Sequence, residues 1–490
     1  MDSATVRVSP RDSAIRRRVW LVAAGYVALL LSMSGRYGFH RDELYFVVAG
    51  RRLDWGFVDQ PPFTPAVARL SETLGGTSPV ALRVLPALAI GVVVVLAASM
   101  ARRLGGGRTA ELWAAITTGG AGVILAVGHL LSTATFDLLF WTVATWVLVR
   151  ILDGGSTHCW LLLGTTVGVG LLNKHLIGVF AVAILAGLVA TPQRRLLASP
   201  WPWWGVGVAA VVALPNVLWQ AANGWPQLEM SRALADRSDG PVAFVAQQVG
   251  LLSVTLVVPA AAGLWRLLRG DPLRPWRPIG VAFALLFVAF LVTGGKAYYV
   301  MPLYPVLLAA GAGWFEGLTR RGRWAMGSAG AIGIGAGMII ALPLVPVSAV
   351  ESVDATGELR ETVGWPELVA QVAAVYETIP PEDRAGTVIL TGSYGQAGAI
   401  ELLGPDAGLP SPVSGHNNYW LWGPPTGDGP IIGVGPLGSV LEPICPTLRP
   451  VGVISNPWNL PNEELGTPLL LCLNPVAPLA DIWDSVRHYN

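Results

Sequence analysis

The sequence predicts a polytopic α-helical membrane protein of about eleven transmembrane helices, followed by a C-terminal extracytoplasmic α/β domain. Three observations predict it. The 490 residues are 53% hydrophobic and only 13% charged, with a mean hydropathy of +0.54. Soluble domains carry roughly 25% charge, so an ordinary cytosolic enzyme is excluded. Apolar runs of about 16–22 residues recur from Val19 to about Leu344, each near the length that crosses a hydrocarbon core of about 30 Å. Arginine gathers at every second connection between those runs. The net charge of +1 gives no reason to expect a nucleic-acid partner.

In chain order the spans fall near 19–35, 80–100, 110–128, 131–149, 159–172, 175–190, 203–220, 243–265, 278–293, 299–315 and 325–344. Arg16-Arg17-Arg18 before Val19 resembles the start of a signal peptide, but no small-residue cleavage site precedes Arg36, so the first span reads as uncleaved. Arginine clusters follow at Arg102, Arg103 and Arg108, at Arg194 and Arg195, at Arg266, Arg269, Arg274 and Arg277, and at Arg320, Arg321 and Arg323. The positive-inside rule makes these connections cytoplasmic, which places the N-terminus inside and residues after about 345 outside. The protein is therefore expected in the cell membrane, multi-pass. Gly105-Gly106-Gly107 lacks the Lys-Ser/Thr ending of a phosphate loop and reads as a tight turn.

Residues 1–344 form the expected membrane domain, and its first outer loop, 36–79, mixes charge with Tyr37, Tyr45, Phe46, Trp55, Phe57 and Phe63. Long loops of such composition carry function more often than disorder. Asp42–Leu53 and Thr64–Leu74 have the spacing of short juxtamembrane helices, with Pro61-Pro62 between them. Residues 345–490 contain no further spanning run and read as a soluble outer domain. Thr387–Thr391 is a candidate strand turning through Gly392 into a helix that ends near Leu403, an α/β unit without a dinucleotide fingerprint. Ser414 to Pro425 interleaves amides with Tyr419, Trp420 and Trp422, which suits either sugar stacking or core packing. Cys445 and Cys472 flank a Pro-rich excursion on the oxidising side and are expected to form a disulfide, whereas Cys159 reads as a buried apolar residue.

The residues able to do polar chemistry gather on the outer side. Asp42, flanked by arginines, can stay ionised and take a proton from an attacking hydroxyl, with Glu43 beside it. Simple ion pairing with Arg41 or Arg36 suits it equally well. Lys174 and Lys296 are the only lysines. Each opens or occupies a short outer connection, where it can meet a lipid phosphate or snorkel to the headgroups. Tyr298 and Tyr299 are hydroxyl donors near Lys296. Asp137, inside the fourth span, must face protein or a wet cavity, either to bind substrate or to hold a neighbouring helix. The histidines show no metal-ligand spacing.

HRDELYFVVAGRRLDWGFVDQPPFTPAVARL from His40 to Leu70 and ALRVLPAL from Ala81 to Leu88 resemble the glycosyltransferase C superfamily of integral-membrane enzymes. The likeness is strongest to family 39, which includes protein O-mannosyltransferases and aminoarabinose lipid A transferases. The Asp-Glu pair and the Asp-x-Pro-Pro element carry it, with NKHLIGVF from Asn173 and GKAYYVMPLYPVLLAAGA from Gly295 in support. Gln60 stands where relatives often have a basic residue, and Ala134 where many have an aspartate. The resemblance implies an inverting transfer of a sugar from a polyprenyl-phosphate carrier to a hydroxyl of a glycan, lipid or protein acceptor. Asp42 would be the general base and Glu43 its neighbour. Lys296 and Lys174 would stabilise the leaving phosphate, and Asp59, Arg69 and Arg83 are further candidates for substrate contact. The lipid-linked sugar is a substrate rather than a cofactor. Some members use a divalent metal and others do not, so metal is left unassigned. The competing classes are a secondary transporter, disfavoured by the lack of internal repeats, and a non-catalytic polysaccharide-binding scaffold.

Overall fold

A computed structural model describes residues 10–235, 240–354 and 357–489. The side chains of residues 10–16, 234 and 235 lie outside this description, and with them Arg16 of the first basic cluster. The chain divides into two compact units, one of Met1–Ser34, Arg83–Pro215 and Ser238–Leu342, the other of Gly35–Leu82, Asn216–Arg237 and Pro343–Asn490.

The first unit is a helical membrane body. Among the described residues five helices are long and apolar enough to cross a membrane: Pro79–Arg103, Thr133–Leu152, Trp201–Ala222, Asp271–Thr293 and Arg320–Ala341. Two bent pairs raise the number to seven if each counts as one span. Of the remaining apolar runs, the first lies in the continuous 24-residue helix Pro10–Met33, and the others fold as shorter or broken helices. Cys159–Leu171 has 13 residues, which at about 1.5 Å per residue falls short of the hydrocarbon thickness. The run near 110–128 bends by 58° between Arg108–Gly120 and Gly122–His129, where the Ser253 hydroxyl accepts the Gly122 N–H at 2.8 Å. The run near 243–265 breaks between Gly240–Leu251 and Val257–Arg269, with Ser253 and Val254 at φ of 54° and 56°.

Small residues and aromatic stacks hold these helices together. A Cβ on Gly263 would run into the Leu307 backbone, and one on Gly311 into the Pro259 backbone, so Val257–Arg269 and Tyr304–Gly317 meet almost backbone to backbone. Trp113 stacks on Phe315 with ring centres 3.8 Å apart, and Trp141 on Phe180 at 4.6 Å. Large apolar side chains such as Trp204, Val211, Val182 and Ile332 remain exposed, as a lipid-facing surface requires. The protein is a multi-pass membrane protein.

The second unit contains a five-stranded mixed sheet. Its strands are β1 (Val388–Thr391), β2 (Val413–Ser414), β3 (Ile431–Val434), β4 (Arg449–Val453) and β5 (Pro468–Cys472), in the order β2-β1-β3-β5-β4. β1 pairs in parallel with β2 and β3, whereas β5 runs antiparallel to β3 and β4. Val388, Leu390, Ile431, Leu441, Ile444, Leu470 and Trp483 form one core against it. Cys472 at the end of β5 is disulfide-bonded to Cys445, and both are buried. The helix Tyr394–Leu403 follows β1 directly, begun by a capping box between Ser393 and Gln396. Its Gly398 lies against Leu44 of the helix Arg41–Arg51, where an added Cβ would stand 2.9 Å from that of Leu44. Only glycine permits this approach, and it brings the start of one helix beside the start of the other.

Candidate active site

The two units each hold a cluster of the residues singled out in the sequence. In the second unit, Asp42 stands in the first turn of Arg41–Arg51. That turn is fixed by a capping box in which the His40 ring accepts the Asp42 N–H at 3.2 Å. Glu43, fully buried, completes the box by accepting the His40 N–H at 2.9 Å. Glu43 therefore holds the turn that carries Asp42. The Asp42 side chain is 36% exposed, and its Oδ1 accepts the Tyr394 hydroxyl at 2.7 Å. Arg41 Nε stands 3.9 Å from Oδ1, and His40 Nδ1 3.9 Å from Oδ2. The Arg41 guanidinium pairs with Glu463.

Asp59, from the Asp-x-Pro-Pro element, is held the same way, its Oδ1 accepting the Tyr45 hydroxyl at 2.7 Å. The two tyrosine rings lie 5.0 Å apart. Two tyrosine-aspartate pairs thus share one aromatic support. Burial pushes the Asp59 carboxyl up to about 7, against the opposing Tyr45 hydrogen bond and with a contribution from the Asp42 charge. Burial and then the neighbouring Asp42 charge hold the Tyr394 phenol well above its ordinary range, so it stays a donor. Arg69 lies outside this group, in an exposed ion pair with Glu72 at 3.2 Å.

Tyr419 and Trp422 extend the aromatic support, with ring centres 6.2 Å from that of Tyr45. Arg52 lies over the Trp422 ring at 4.5 Å and pairs with Glu401 at 2.9 Å. The Trp420 indole N–H donates to the Trp483 carbonyl and the Trp483 indole N–H to the Trp420 carbonyl, both at 3.2 Å, and Arg487 covers the Trp420 ring at 4.8 Å. The aromatic residues of Ser414 to Pro425 are thus engaged by protein partners. Tyr394 is the candidate site residue that sequence reasoning missed. Its only local signal is a position just after a capping serine, and nothing there points to a partner 352 residues away.

In the first unit, the Lys174 ammonium lies over the rings of Tyr298 and Tyr299, 5.0 and 5.2 Å from their centres. These two rings meet edge to face at 5.1 Å, and Phe290 supports Tyr299 at 5.4 Å. Asp137 is buried, its carboxylate interacts electrostatically with Lys174, and its Oδ1 has no hydrogen-bond partner among the described residues. The structure thus brings Lys174, Tyr298, Tyr299 and Asp137 together. Lys296 is exposed at the start of the short helix Ala297–Leu303 and makes no ion pair among the described residues. Arg83 is fully buried and donates to the Ser34 carbonyl at 2.8 Å, which ties the end of the first helix to Pro79–Arg103. No group of three or more metal-ligating side chains occurs among the described residues.

Residues 59–219 match the family of dolichyl-phosphate-mannose-protein mannosyltransferases. The lipid A galacturonosyltransferase RgtD of Rhizobium johnstonii is 24% identical over 278 residues, 53% of this chain and 56% of that protein. The match thus spans only about half of the curated relative. Among solved structures, ArnT from Cupriavidus metallidurans bound to undecaprenyl phosphate aligns over 93% of this chain and 98% of its own, at 18% identity and a TM-score of 0.59. The arabinofuranosyltransferase AftD from mycobacteria aligns over 94% of this chain and 42% of its own, at 14% identity and a TM-score of 0.53. These structural likenesses show a common fold. The chain is thus similar to these glycosyltransferases in the sequence of residues 59–219 and in its fold.

Proposed function

We propose that the protein is an inverting glycosyltransferase that moves a sugar from a polyprenyl-phosphate carrier to an acceptor hydroxyl at the outer face of the cytoplasmic membrane. In this reading the N-terminus is cytoplasmic, and residues 345–490 form an extracytoplasmic domain. The observation that carries the proposal is the setting of Asp42. One carboxylate oxygen is held by Tyr394, the helix turn is locked by His40 and Glu43, and the side chain keeps access to solvent. A general base needs that combination of fixed direction and a free lone pair.

The proposed step balances simply. Asp42 takes the proton of the acceptor hydroxyl, and the acceptor oxygen forms a bond to the anomeric carbon from the side opposite the carrier. The bond between that carbon and the phosphate oxygen breaks, and its electron pair leaves with the lipid phosphate. Lys174 and Lys296 supply positive charge for that phosphate. Fixed cations of this kind stabilise developing negative charge without reorganising. The match of residues 59–219 to a mannosyltransferase family and the fold shared with a carrier-bound ArnT structure support a lipid-linked donor.

Replacing Asp42 with Asn tests the reading. Transfer from a polyprenyl-phosphate sugar should fall by about 10²- to 10⁴-fold while carrier binding persists. Unchanged product formation would remove Asp42 from the base role. Directional flux of an unmodified solute through reconstituted vesicles would instead indicate a transporter.

A further inference from the structure

We infer that Gln60 and Asn417 form a reading site for uncharged sugar hydroxyls, which deepens the transferase reading and rests on it. Gln60 is 3% exposed, and neither its Oε1 nor its Nε2 has a hydrogen-bond partner among the described residues. A buried amide left unpaired at both ends is costly, so such a group calls for an occupant.

Poor local packing does not account for it, because the turn around Gln60 is fully built. The Phe57 N–H donates to the Gln60 carbonyl at 2.9 Å, and the Phe57 carbonyl accepts Gln227 Nε2 at 3.1 Å. Asn216 Nδ2 donates to the Trp55 carbonyl at 2.8 Å, and the Val58 N–H donates to Asn418 Oδ1 at 3.0 Å. With Gln220, whose Nε2 also donates to the Phe57 carbonyl at 3.4 Å, four other amide side chains serve the backbone of this turn while that of Gln60 has no partner among the described residues. The bond between Val58 and Asn418 joins the turn to a second unsatisfied group. Asn417, the residue before Asn418, is 1% exposed and its Oδ1 is also without a partner among the described residues. It holds φ 49° and ψ −130°, a strained backbone for a side chain other than glycine. Unpaired polar atoms and strain together mark residues kept for a ligand.

The chemistry of the pair selects the ligand. A phosphate oxygen only accepts hydrogen bonds and an ammonium only donates them, so either would satisfy one end of the Gln60 amide. Hydroxyls both donate and accept. Neighbouring hydroxyls on a sugar ring can therefore satisfy Oε1 and Nε2 together, with another donating to Asn417 Oδ1. The adjacent residue is Asp59, whose carboxyl feels the Asp42 charge, so Gln60 stands next to a carboxyl that shares the surroundings of the proposed base.

The test uses the full chain in lipid nanodiscs with three probes: undecaprenyl phosphate, undecaprenyl-phosphate mannose and undecaprenyl-phosphate arabinose. The parent should hold at least one glycosylated lipid more tightly than the bare carrier. Gln60→Leu should reduce that preference about three- to tenfold while changing bare-carrier affinity by less than about twofold. Asn417→Gly, which keeps the positive φ and deletes the oxygen, should act in the same direction. The empty Gln60→Leu protein should also melt above the parent, because an unpaired amide has been replaced by an apolar group. Equal weakening for bare and glycosylated carriers would assign Gln60 to the phosphate and overturn the inference. An unchanged preference in both variants, or a parent that holds all three lipids alike, would overturn it as well. A parent that binds none of the three would sink the carrier reading itself.

Discussion

Tyr394 donates a 2.7 Å hydrogen bond to Oδ1 of Asp42. The bond fixes the plane of the group and, in the proposed reading, leaves the second carboxylate oxygen to the reaction. The helix of Tyr394 is held close by the Gly398 contact with Leu44, so the phenol arrives in one position. Tyr394→Phe keeps the ring against Tyr45 and removes only the donor. We expect kcat to fall about tenfold with little change in KM, since a positioning bond to a charged acceptor is lost. A phenylalanine variant with the parental kcat would show that the hydroxyl merely fills space.

Asp59 predicts a dependence of stability on pH. Its carboxyl is pushed up to about 7 by burial in the folded protein, against about 3.9 in an unfolded chain. The folded state therefore binds more protons between those values. The stabilisation is complete below about pH 4 and is lost as pH rises through about 7. Asp59→Asn stays neutral throughout, so thermal melts should show the variant gaining on the parent between pH 5 and pH 8. Glu464, also raised to about 7 by burial, acts in the same direction, so a shallower slope remains in the variant. Parallel melting curves for parent and variant across this range would contradict the assignment.

Lys174 offers a test of phosphate recognition. The two tyrosine rings hold its ammonium in place by cation–π contacts. Lys174→Met should weaken undecaprenyl phosphate binding about tenfold and make binding less sensitive to salt. Tyr298→Leu should have a smaller effect in the same direction by loosening the lysine. Binding that keeps its parental affinity and salt dependence in the methionine variant would leave Lys174 as a headgroup anchor.

The Cys445–Cys472 disulfide closes a loop with a sequence separation of 27. Replacing both cysteines with serine should cost about 3.5 kcal/mol, read as lower resistance of the 345–490 region to heat or protease. Thiol labelling of the parent under non-reducing, denaturing conditions should modify Cys159 alone. Three labelled thiols would exclude the bond.

Much of this architecture is legible in the sequence, for identifiable reasons. The two helices at Arg41–Arg51 and Phe63–Gly75 follow from local spacing and the intervening prolines. The strand at Val388–Thr391 and the helix after Gly392 follow from a short β-branched run and a turn. Interrupted helices are less legible. Val254 takes a positive φ that its β-branched side chain gives no reason to expect. The Gly122 break depends on a hydroxyl 131 residues away. Charge is legible, but its direction is not. Arg69 and Arg83 read alike in sequence, yet one makes a surface ion pair and the other is buried on a backbone carbonyl. Tyr394 is invisible for the same reason, because its role depends on a tertiary contact.

The span between Asp42 and Tyr394 bears on biogenesis. Every helix of the membrane body is synthesised before the ribosome reaches the phenol that steadies the carboxylate. On the proposed reading, a nascent chain can thus complete its insertion while the carboxylate still lacks its support, and the last third of translation acts as the step that assembles the site.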